Sequence, residues 1–347
     1  MQALRLTAWK TDPEMVEVDE PEPGPGQVVV RIAGAGACHS DLHLMHDFEA
    51  GVLPWGPPFT LGHENAGWVE AMGSGVTGLE VGMPVAVYGP WGCGRCARCR
   101  VGMENYCERQ AELGAAGGGL GFDGGMASLM LVPQSRWLVP LGDLDPVEAA
   151  PLTDAGLTPY HAIKRSLPLL GAGSNVAVIG AGGGLGHMAV QIVRAVCGAT
   201  VIGIDQHQAG LDRATTAGAH HGVLSDDDAA ATVAELTKGK GVDLALDLVG
   251  ADATLALSAT IVRQLGHMTI VGIGGGSFSV GFFTIPYEAS IATTYWGSIP
   301  ELMEVLTLAE RGHIAAHVQR YSLADATQAY DDMTSGSLDG RAVIIPS

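Results

Sequence analysis

Residues 174–205 read SNVAVIGAGGGLGHMAVQIVRAVCGATVIGID, and this stretch decides the fold of the second half of the chain. The apolar run at 174–180 predicts a strand, the apolar residues of 184–198 recur at helical spacing, and 199–205 predicts another strand. Strand, glycine-rich turn, helix and strand in this order form a βαβ unit. The stretch therefore predicts an α/β fold with a doubly wound parallel sheet.

The same alternation continues beyond residue 205. Helical patterns and apolar strand runs follow one another at 208–217, 242–250, 253–266 and 267–273. A helical pattern at 300–312 and a strand at 341–346 complete the chain, and we expect this last part to return to the first domain.

The first 155 residues follow a different pattern, in which glycine and proline interrupt short apolar runs. The clearest runs are GQVVVRIAGAGAC at 26–38, MPVAVYG at 83–89 and MASLMLVP at 126–133. Short strands at such spacing are typical of an antiparallel, barrel-like β domain. Because 347 residues are enough for two domains with separate cores, we expect this β domain to precede the α/β domain.

The composition excludes several classes of protein. Hydrophobic residues make up 47% of the chain and charged residues 16%, as in a globular rather than a disordered protein. The formal net charge of −19 argues against nucleic acid or an anionic membrane as a partner. The sequence shows neither a signal peptide nor an apolar stretch long enough to span a membrane. We therefore expect a cytoplasmic protein.

The glycine-rich turn reads Gly180-Ala-Gly-Gly183-Gly184-Leu185-Gly186. It fits the spacing GxxGxxG and not GxGxxG, because Leu185 stands at the sixth position from Gly180. Glycines at such a turn let the backbone approach a pyrophosphate, which lies at the positive end of the following helix. A tight turn without a ligand is the alternative, and the order of strand, turn and helix favours nucleotide binding.

Asp205 ends the next strand, 19 residues after Gly186. A carboxylate at this point accepts hydrogen bonds from the adenosine ribose and repels a 2′-phosphate. The alternative is a solvated aspartate that opens a turn. The sequence therefore favours NAD over NADP as the cofactor.

Four of the six cysteines lie within fifteen residues, with the spacing Cys93-x2-Cys96-x2-Cys99-x7-Cys107. In a reducing compartment such crowding indicates a metal rather than disulfides. Four thiolates complete a tetrahedral shell around zinc and leave no open position, so the site is structural. The alternative, an iron–sulfur cluster, fits less well, because the ferredoxin pattern has a last spacing of three followed by proline. We call residues 90–110 the zinc lobe.

Two further motifs are GACHSDLH at 36–43 and the triplet Gly62-His63-Glu64. Together with the cysteines and the glycine loop, they make the chain resemble the zinc-dependent medium-chain alcohol dehydrogenases over nearly its whole length. Within that family it most resembles bacterial NAD-dependent secondary-alcohol dehydrogenases, because PLTDAGLTPYHA at 151–162 has an aspartate where many members have cysteine.

The resemblance implies a domain organisation and an activity. It implies a GroES-like catalytic domain at 1–155, an NAD-binding Rossmann domain at 156–294 and a return to the catalytic domain at 295–347. It implies hydride transfer between NAD and secondary, and some primary, alcohols or the matching ketones and aldehydes. It also implies two zinc ions per chain and a homo-oligomer, with a tetramer favoured over a dimer.

By the same resemblance, Cys38, His63 and Asp154 hold a catalytic zinc ion with an open fourth position. Zinc lowers the pKa of bound water from about 15.7 to about 7, and we expect a similar effect on an alcohol. Asp41 would orient His63, and Glu64 resembles an occasional alternative ligand. Because adjacent residues of an extended segment point to opposite sides, we expect His63 and Glu64 not to face one ion together.

The resemblance also assigns a proton relay and contacts to the cofactor. Ser40 matches the first hydroxyl of the relay, and His43 matches the outer histidine that passes the proton to solvent. His39 and Arg341 resemble residues that contact the cofactor phosphates, and Thr158 would lie beside the nicotinamide. Without the motif, His43 would be read as an ordinary surface histidine.

The substrate pocket is the least specific part of the pattern. The residues that we expect to line an apolar pocket are Trp55, Leu120, Phe283, Tyr295 and Trp296. A plain core role is the alternative for each aromatic residue, and Cys197 is read as a core residue. Polyol or aromatic-alcohol dehydrogenases, zinc-free quinone or enoyl reductases, and a non-enzymatic nucleotide-binding protein are the alternative functions.

Overall fold

The computed structural model describes residues 1–346, which divide into two compact units. The first unit contains Met1–Asp154, Gly297–Glu310 and the chain from Ala316 onward, and the second contains Ala155–Trp296 and Arg311–Ala315. Among the described residues, no helix is both long enough and apolar enough to cross a membrane.

The regular elements are numbered in chain order. The strands are β1 (Gln2–Leu6), β2 (Glu14–Glu17), β3 (Val28–Gly36), β4 (Phe59–Thr60), β5 (Glu64–Met72), β6 (Pro84–Val87), β7 (Gly117–Gly118), β8 (Gly121–Phe122), β9 (Leu129–Val132), β10 (Leu138–Pro140), β11 (Asn175–Ile179), β12 (Thr200–Asp205), β13 (His221–Leu224), β14 (Val242–Asp247), β15 (Val262–Ile270), β16 (Ser290–Thr293), β17 (Val318–Ser322) and β18 (Arg341–Ile345). The helices are α1 (His39–His46), α2 (Pro146–Ala149), α3 (Leu157–Ser166), α4 (Gly184–Val196), α5 (Gln208–Thr216), α6 (Ala229–Leu236), α7 (Asp252–Ile261), α8 (Ile299–Glu310) and α9 (Ala326–Ser335).

The second unit is built on a parallel sheet. Within residues 1–346 its strand order is β13-β12-β11-β14-β15-β16, and a helix lies in each connection from β11 to β15 but not in the connection from β15 to β16. This is the order of a doubly wound dinucleotide-binding sheet, in which the first and fourth strands, β11 and β14, are neighbours and the strand order reverses between them. Apolar side chains such as Ile179, Ile204 and Ala245 form a core on one face of the sheet. The α/β fold predicted from the sequence is confirmed.

One predicted boundary in this unit is wrong. The helical pattern at 253–266 breaks after Ile261, and Val262–Ile270 forms β15 instead. Val262 has an extended backbone (φ −65°, ψ 139°) and pairs with Val242 of β14. A β-branched valine and the following Gly266 are both poor helix formers, so pairing with β14 prevails over the helical spacing.

The first unit is mainly antiparallel. Within the described residues its main sheet has the order β10-β6-β5-β3-β18-β17, and β9 also pairs with β3. A smaller sheet has the order β2-β1-β4. The last strand, β18, pairs antiparallel with β3 and parallel with β17, so the C-terminal part of the chain completes this sheet.

Candidate active site

The sheet register of the first unit brings the site together. Gly36, the last residue of β3, pairs with Glu64 at the start of β5 on one side and with Val343 of β18 on the other. Cys38 follows β3 by two residues and His63 precedes β5 by one, so the register places both at the same end of the sheet. A side chain at Gly36 would displace Glu64, because a Cβ there would lie 2.0 Å from the Glu64 carboxylate.

Asp154 reaches this end of the sheet from a separate segment. The 3₁₀ turn Ala150–Thr153, which ends at Asp154, packs against β3 and β5. Gly34 of β3 instead makes room for β18 and α2, because a Cβ there would lie 2.7 Å from the Val343 side chain and 3.3 Å from the Val147 backbone.

Cys38, His63, Glu64 and Asp154 form a buried cluster of metal-ligand type. Each offers a ligand atom within 4.8 Å of the others. Asp154 Oδ2 lies 4.0 Å from Cys38 Sγ and 3.7 Å from His63 Nε2. On a tetrahedral zinc ion such atoms lie about 3.4–3.6 Å apart. Thiolate, imidazole and carboxylate are all zinc donors, so the residues fit this ion.

Asp41 holds the other nitrogen of the His63 ring. Asp41 Oδ1 lies 3.1 Å from His63 Nδ1, and neither side chain is more than 1% exposed. Its Oδ2 accepts a hydrogen bond of 2.9 Å from the Cys38 backbone N–H, so the carboxylate also fixes the start of α1. A carboxylate on one imidazole nitrogen directs the other nitrogen towards a metal.

Glu64 is engaged by Arg341. Arg341 Nε donates a hydrogen bond of 2.9 Å to Glu64 Oε2, and its Nη2 donates to Oε1. The Arg341 side chain is 4% exposed and that of Glu64 is fully buried. Burial raises the pKa of Glu64, and the charge of Arg341 opposes that rise. A buried pair of this kind is held by its mutual hydrogen bonds.

The expected separation of His63 and Glu64 is wrong. Both offer a ligand atom within the same 4.8 Å group, so alternation along the strand does not keep Glu64 away. Arg341 occupies both Glu64 carboxylate oxygens instead. The assignment of Arg341 to a cofactor phosphate stays a prediction, since its described partner is Glu64.

Helix α1 carries the predicted relay residues. Ser40 Oγ lies 3.3 Å from His63 Nε2, at the edge of the cluster. His43 Nδ1 pairs with Asp47, one turn further along, and the His43 side chain is 26% exposed. His39 is exposed and shares a helix face with His43, since the two are four residues apart. The helix thus runs from the buried cluster to a histidine that contacts solvent.

The four cysteines form a second cluster. Their sulfur atoms lie within 4.8 Å of one another, with Cys99 Sγ at 4.0 Å from Cys93 Sγ and 3.4 Å from Cys96 Sγ. Sulfur atoms about 2.3 Å from a tetrahedral zinc ion lie about 3.8 Å apart. The backbone N–H groups of Cys96 and Cys99 donate to the preceding cysteine sulfur atoms at 3.3 and 3.4 Å. All six cysteines are free of disulfides, and this group fits a structural zinc ion.

The glycine loop of the second unit has the geometry of a phosphate-binding turn. Gly180 has φ +78°, a conformation that favours glycine. A Cβ at Gly186 would lie 2.1 Å from the Gly180 carbonyl oxygen, so this glycine lets α4 approach β11. A Cβ at Gly183 would meet only that oxygen, at 3.4 Å, so its outer face is open. Gly184 and Leu185 begin α4, whose first N–H groups are available to an anion.

Asp205 lies beside this loop. Its Oδ2 accepts a hydrogen bond of 2.9 Å from the Gly182 backbone N–H, and its Oδ1 accepts one of 3.2 Å from His207 N–H. An ionised carboxylate has about four acceptor positions, so it retains capacity for a ribose hydroxyl. Thr158 lies buried in the first turn of α3.

The predicted pocket residues differ in exposure. Trp55 is half-buried, with its ring 5.7 Å from that of Phe59 in a T-shaped arrangement, and Leu120 is also half-buried. Trp296 is buried, but Tyr295 is 42% exposed. Phe283 is 89% exposed, so its assignment to an apolar pocket of this chain is wrong. A pattern of aromatic residues does not distinguish a pocket wall from an exposed apolar surface.

Two further residues near the site were not predicted from the sequence. Tyr330 of α9 donates a hydrogen bond of 3.0 Å to Asp41, which lies 289 residues earlier in the chain. Asp47 pairs with His43. Helical spacing of four residues is a signal for the second contact, whereas no local pattern indicates the first.

Comparisons with known proteins agree with this geometry. The family model of the alcohol dehydrogenase GroES-like domain matches residues 24–143, and that of the zinc-binding dehydrogenases matches 184–311. The NAD-dependent alcohol dehydrogenase of Sulfurisphaera tokodaii is 35% identical and covers 100% of both chains. The D-arabinose 1-dehydrogenase (NADP(+)) of Saccharolobus solfataricus is 36% identical over 99% of this chain and 97% of its own.

A solved structure is also similar over the full length. The crystal structure of the alcohol dehydrogenase from Aeropyrum pernix has a TM-score of 0.92 and 37% identity, and covers 100% of both chains. The chain belongs to the zinc-dependent medium-chain alcohol dehydrogenase family. The resemblance stated from the sequence is confirmed.

Proposed function

We propose that this protein is an NAD-dependent zinc alcohol dehydrogenase that interconverts secondary, and some primary, alcohols with ketones or aldehydes. One observation carries the proposal: Cys38, His63 and Asp154 lie in a buried cluster of metal-ligand type, together with Glu64, and Asp41 lies 3.1 Å from the histidine ring nitrogen. The full-length similarity to NAD-dependent alcohol dehydrogenases supports it.

Zinc held by the three-ligand site would supply a Lewis acid for the substrate oxygen. The reaction moves a hydride from the carbinol carbon to the nicotinamide and a proton from the hydroxyl to solvent. Ser40, beside His63, is placed to accept that proton first. His43 is placed to release it to solvent, and Asp47 fixes the orientation of the His43 ring.

We assign the cofactor site to the second unit. The open face of Gly183 and the N-terminus of α4 suit a pyrophosphate, and Asp205 suits an unphosphorylated ribose. On this basis 156–294 is the NAD-binding domain, and 1–155 with 295–347 is the catalytic domain. The four-cysteine site takes a second, structural zinc ion, which gives two zinc ions per chain.

We also propose that the chain forms a homo-oligomer, a tetramer rather than a dimer, in the cytoplasm. Strand β16 lies at the edge of its sheet, and edge strands pair readily with another chain. The segment before it exposes four apolar side chains by more than half: Val280, Phe282, Phe283 and Tyr287. A second copy of this chain is the occupant that also satisfies the strand edge, which supports a pair of copies, while the preference for a tetramer rests on the family resemblance. The mass in solution, measured by light scattering, tests this proposal.

A sugar or polyol substrate is the second candidate. The D-arabinose 1-dehydrogenase relative is as similar to this chain as the alcohol dehydrogenase relatives are. That relative is named for NADP(+), whereas Asp205 of this chain favours NAD.

One experiment distinguishes these candidates. NADH formation is measured with zinc-loaded protein on matched secondary alcohols, primary alcohols, polyols and aldoses, with NAD and NADP in parallel. We expect the highest kcat/KM for a secondary alcohol with NAD. A higher value for an aldose, or no turnover of any alcohol, would overturn the proposal. Zinc analysis of the same sample separates a zinc enzyme from a zinc-free reductase.

A further inference from the structure

A buried carboxylate in the first unit is held from three directions. Asp41 is 0% exposed, and an ionised carboxylate requires hydrogen-bond donors in such a place. Its Oδ1 faces His63 Nδ1, and its Oδ2 accepts from Cys38 N–H. The third donor is the Tyr330 hydroxyl, which is 3.0 Å from Oδ2.

The Tyr330 hydroxyl is fixed as a donor. Its side chain is buried, with 5% exposure of the residue. Burial and the nearby charge of Asp41 both raise the pKa of Tyr330 well above its usual value of 10, so the hydroxyl keeps its proton. An ionised carboxylate only accepts hydrogen bonds, which sets the direction of the contact.

Helix α9 carries Tyr330 and is itself well fixed. It ends at Gly336, which has φ +75°, and its Asp332 accepts a hydrogen bond of 2.6 Å from Tyr321 of β17. Tyr330 Oη also lies 3.5 Å from Met126 Sδ. The C-terminal helix therefore supports a residue that supports a metal ligand.

We propose that Tyr330 is a positioning residue for the three-ligand metal site, acting through Asp41 on His63. By holding Oδ2 together with the Cys38 N–H, it leaves Oδ1 directed at His63 Nδ1 and the His63 Nε2 directed at the metal position. Loss of an outer partner of this kind typically weakens metal binding by about 10–100-fold. The inference rests on the proposed function, since it takes Cys38, His63 and Asp154 as metal ligands.

The test replaces one hydroxyl at a time in the full-length protein. Tyr330→Phe keeps the ring and removes the donor, and Tyr321→Phe is the matched control, because it removes a tyrosine hydroxyl bonded to Asp332 of the same helix. Both are loaded with Co²⁺ at the three-ligand site, and the visible cobalt spectrum and the rate of cobalt loss to a chelator are recorded. We expect Tyr330→Phe to shift the spectrum and to lose cobalt about tenfold faster, while Tyr321→Phe matches the wild type.

A double-mutant cycle separates positioning from general destabilisation. In an Asp41→Ala background, Tyr330→Phe should have little further effect on cobalt loss, because the hydroxyl then has no side chain at position 41 to act through. Two results would overturn this inference but not the proposed function. One is an equal effect of Tyr330→Phe on cobalt loss in both backgrounds, and the other is a Tyr330→Phe protein whose spectrum and rate of cobalt loss match the wild type. If the wild-type protein binds no cobalt at Cys38, His63 and Asp154, the proposed function is overturned as well.

Discussion

At the scale of single residues, we expect Asp205 to determine the choice between NAD and NADP. We expect Asp205→Ser to lower the NAD-to-NADP ratio of kcat/KM at least about tenfold, because it removes both the ribose acceptor and the charge that repels a 2′-phosphate. Asp205→Asn is the control, since it removes the charge and keeps an acceptor for Gly182 N–H. Kinetics with both cofactors measure the ratio. An unchanged ratio in both variants would show that Asp205 does not face the ribose.

The third zinc ligand is the next residue-scale question. We expect Asp154→Ala to reduce zinc from two ions per chain towards one and to abolish turnover. Glu64→Gln should retain two ions, because Arg341 already occupies both carboxylate oxygens. Glutamine is the better test than alanine, since removing one partner of a buried ion pair costs about 3–5 kcal/mol. Elemental analysis measures the zinc content of both variants. Two ions per chain in Asp154→Ala and about one in Glu64→Gln would make Glu64 the third ligand.

His43 is the predicted exit of the proton path. His43→Ala should slow alcohol oxidation most at low pH, where solvent bases are scarce, and by about a hundredfold at most. Asp47→Asn should have a smaller effect, because it loosens the ring without removing the base. The pH profile of kcat, with and without an added amine base, measures both. A profile unchanged by His43→Ala would make this residue an ordinary surface histidine.

The sequence indicated the site residues where spacing carries the signal. The spacing of Cys93, Cys96, Cys99 and Cys107 predicts a group of sulfur atoms that the structure does bring together. The pairs Glu64–Arg341 and Tyr330–Asp41 join residues 277 and 289 positions apart, and only the register of the sheet and the packing of α9 create them. Spacing along the chain holds no information about such contacts.

At the scale of elements, the glycine loop and α4 were the most predictable part of the fold. The strand at 174–180 and the helix at 184–198 appear as Asn175–Ile179 and Gly184–Val196. Their apolar periodicity and the turn chemistry agree, and such agreement makes a local prediction reliable. At 253–266 the helical period conflicted with β-branched residues and glycine, and the prediction failed there. Strand β5 was not predicted from the sequence. Its first four residues are all buried, so apolar and polar residues do not alternate there as they do in a strand with one exposed face.

Two glycines of this loop have different roles, which paired variants separate. Gly186→Ala should destabilise the protein by about 1–3 kcal/mol, because its Cβ would lie 2.1 Å from a backbone oxygen. Gly183→Ala should cost less, about 1 kcal/mol, as an N-cap substitution at the start of α4, and should weaken NADH binding, since its methyl group enters the open face. Denaturant unfolding and NADH fluorescence titration measure the two effects. Wild-type affinity in Gly183→Ala would place the pyrophosphate elsewhere.

At the scale of the whole molecule, the first unit contains both clusters that we propose as metal sites, and we expect them to hold an ion differently. The proposed three-ligand site would leave an open position, while the four-cysteine cluster offers four sulfur atoms and lies in a lobe with short turns between Cys99 and Glu112. Structural zinc sites of this type contribute about 10–16 kcal/mol of apparent binding free energy. We therefore expect metal binding to stabilise the fold more at the four-cysteine cluster than at the three-ligand site.

Chelation should consequently remove zinc in two stages. We expect activity to disappear with the first ion, while unfolding temperature changes little, because a chelator enters an open coordination position. The second ion should leave more slowly and together with a large loss of stability. Cys107→Ser provides the control, since it should lose only the slow stage and lower the unfolding temperature before any chelator is added. Zinc release, activity and thermal unfolding are followed on one sample. Loss of both ions in a single stage would show that the two sites release zinc equally easily. That result would contradict a structural role for the four cysteines.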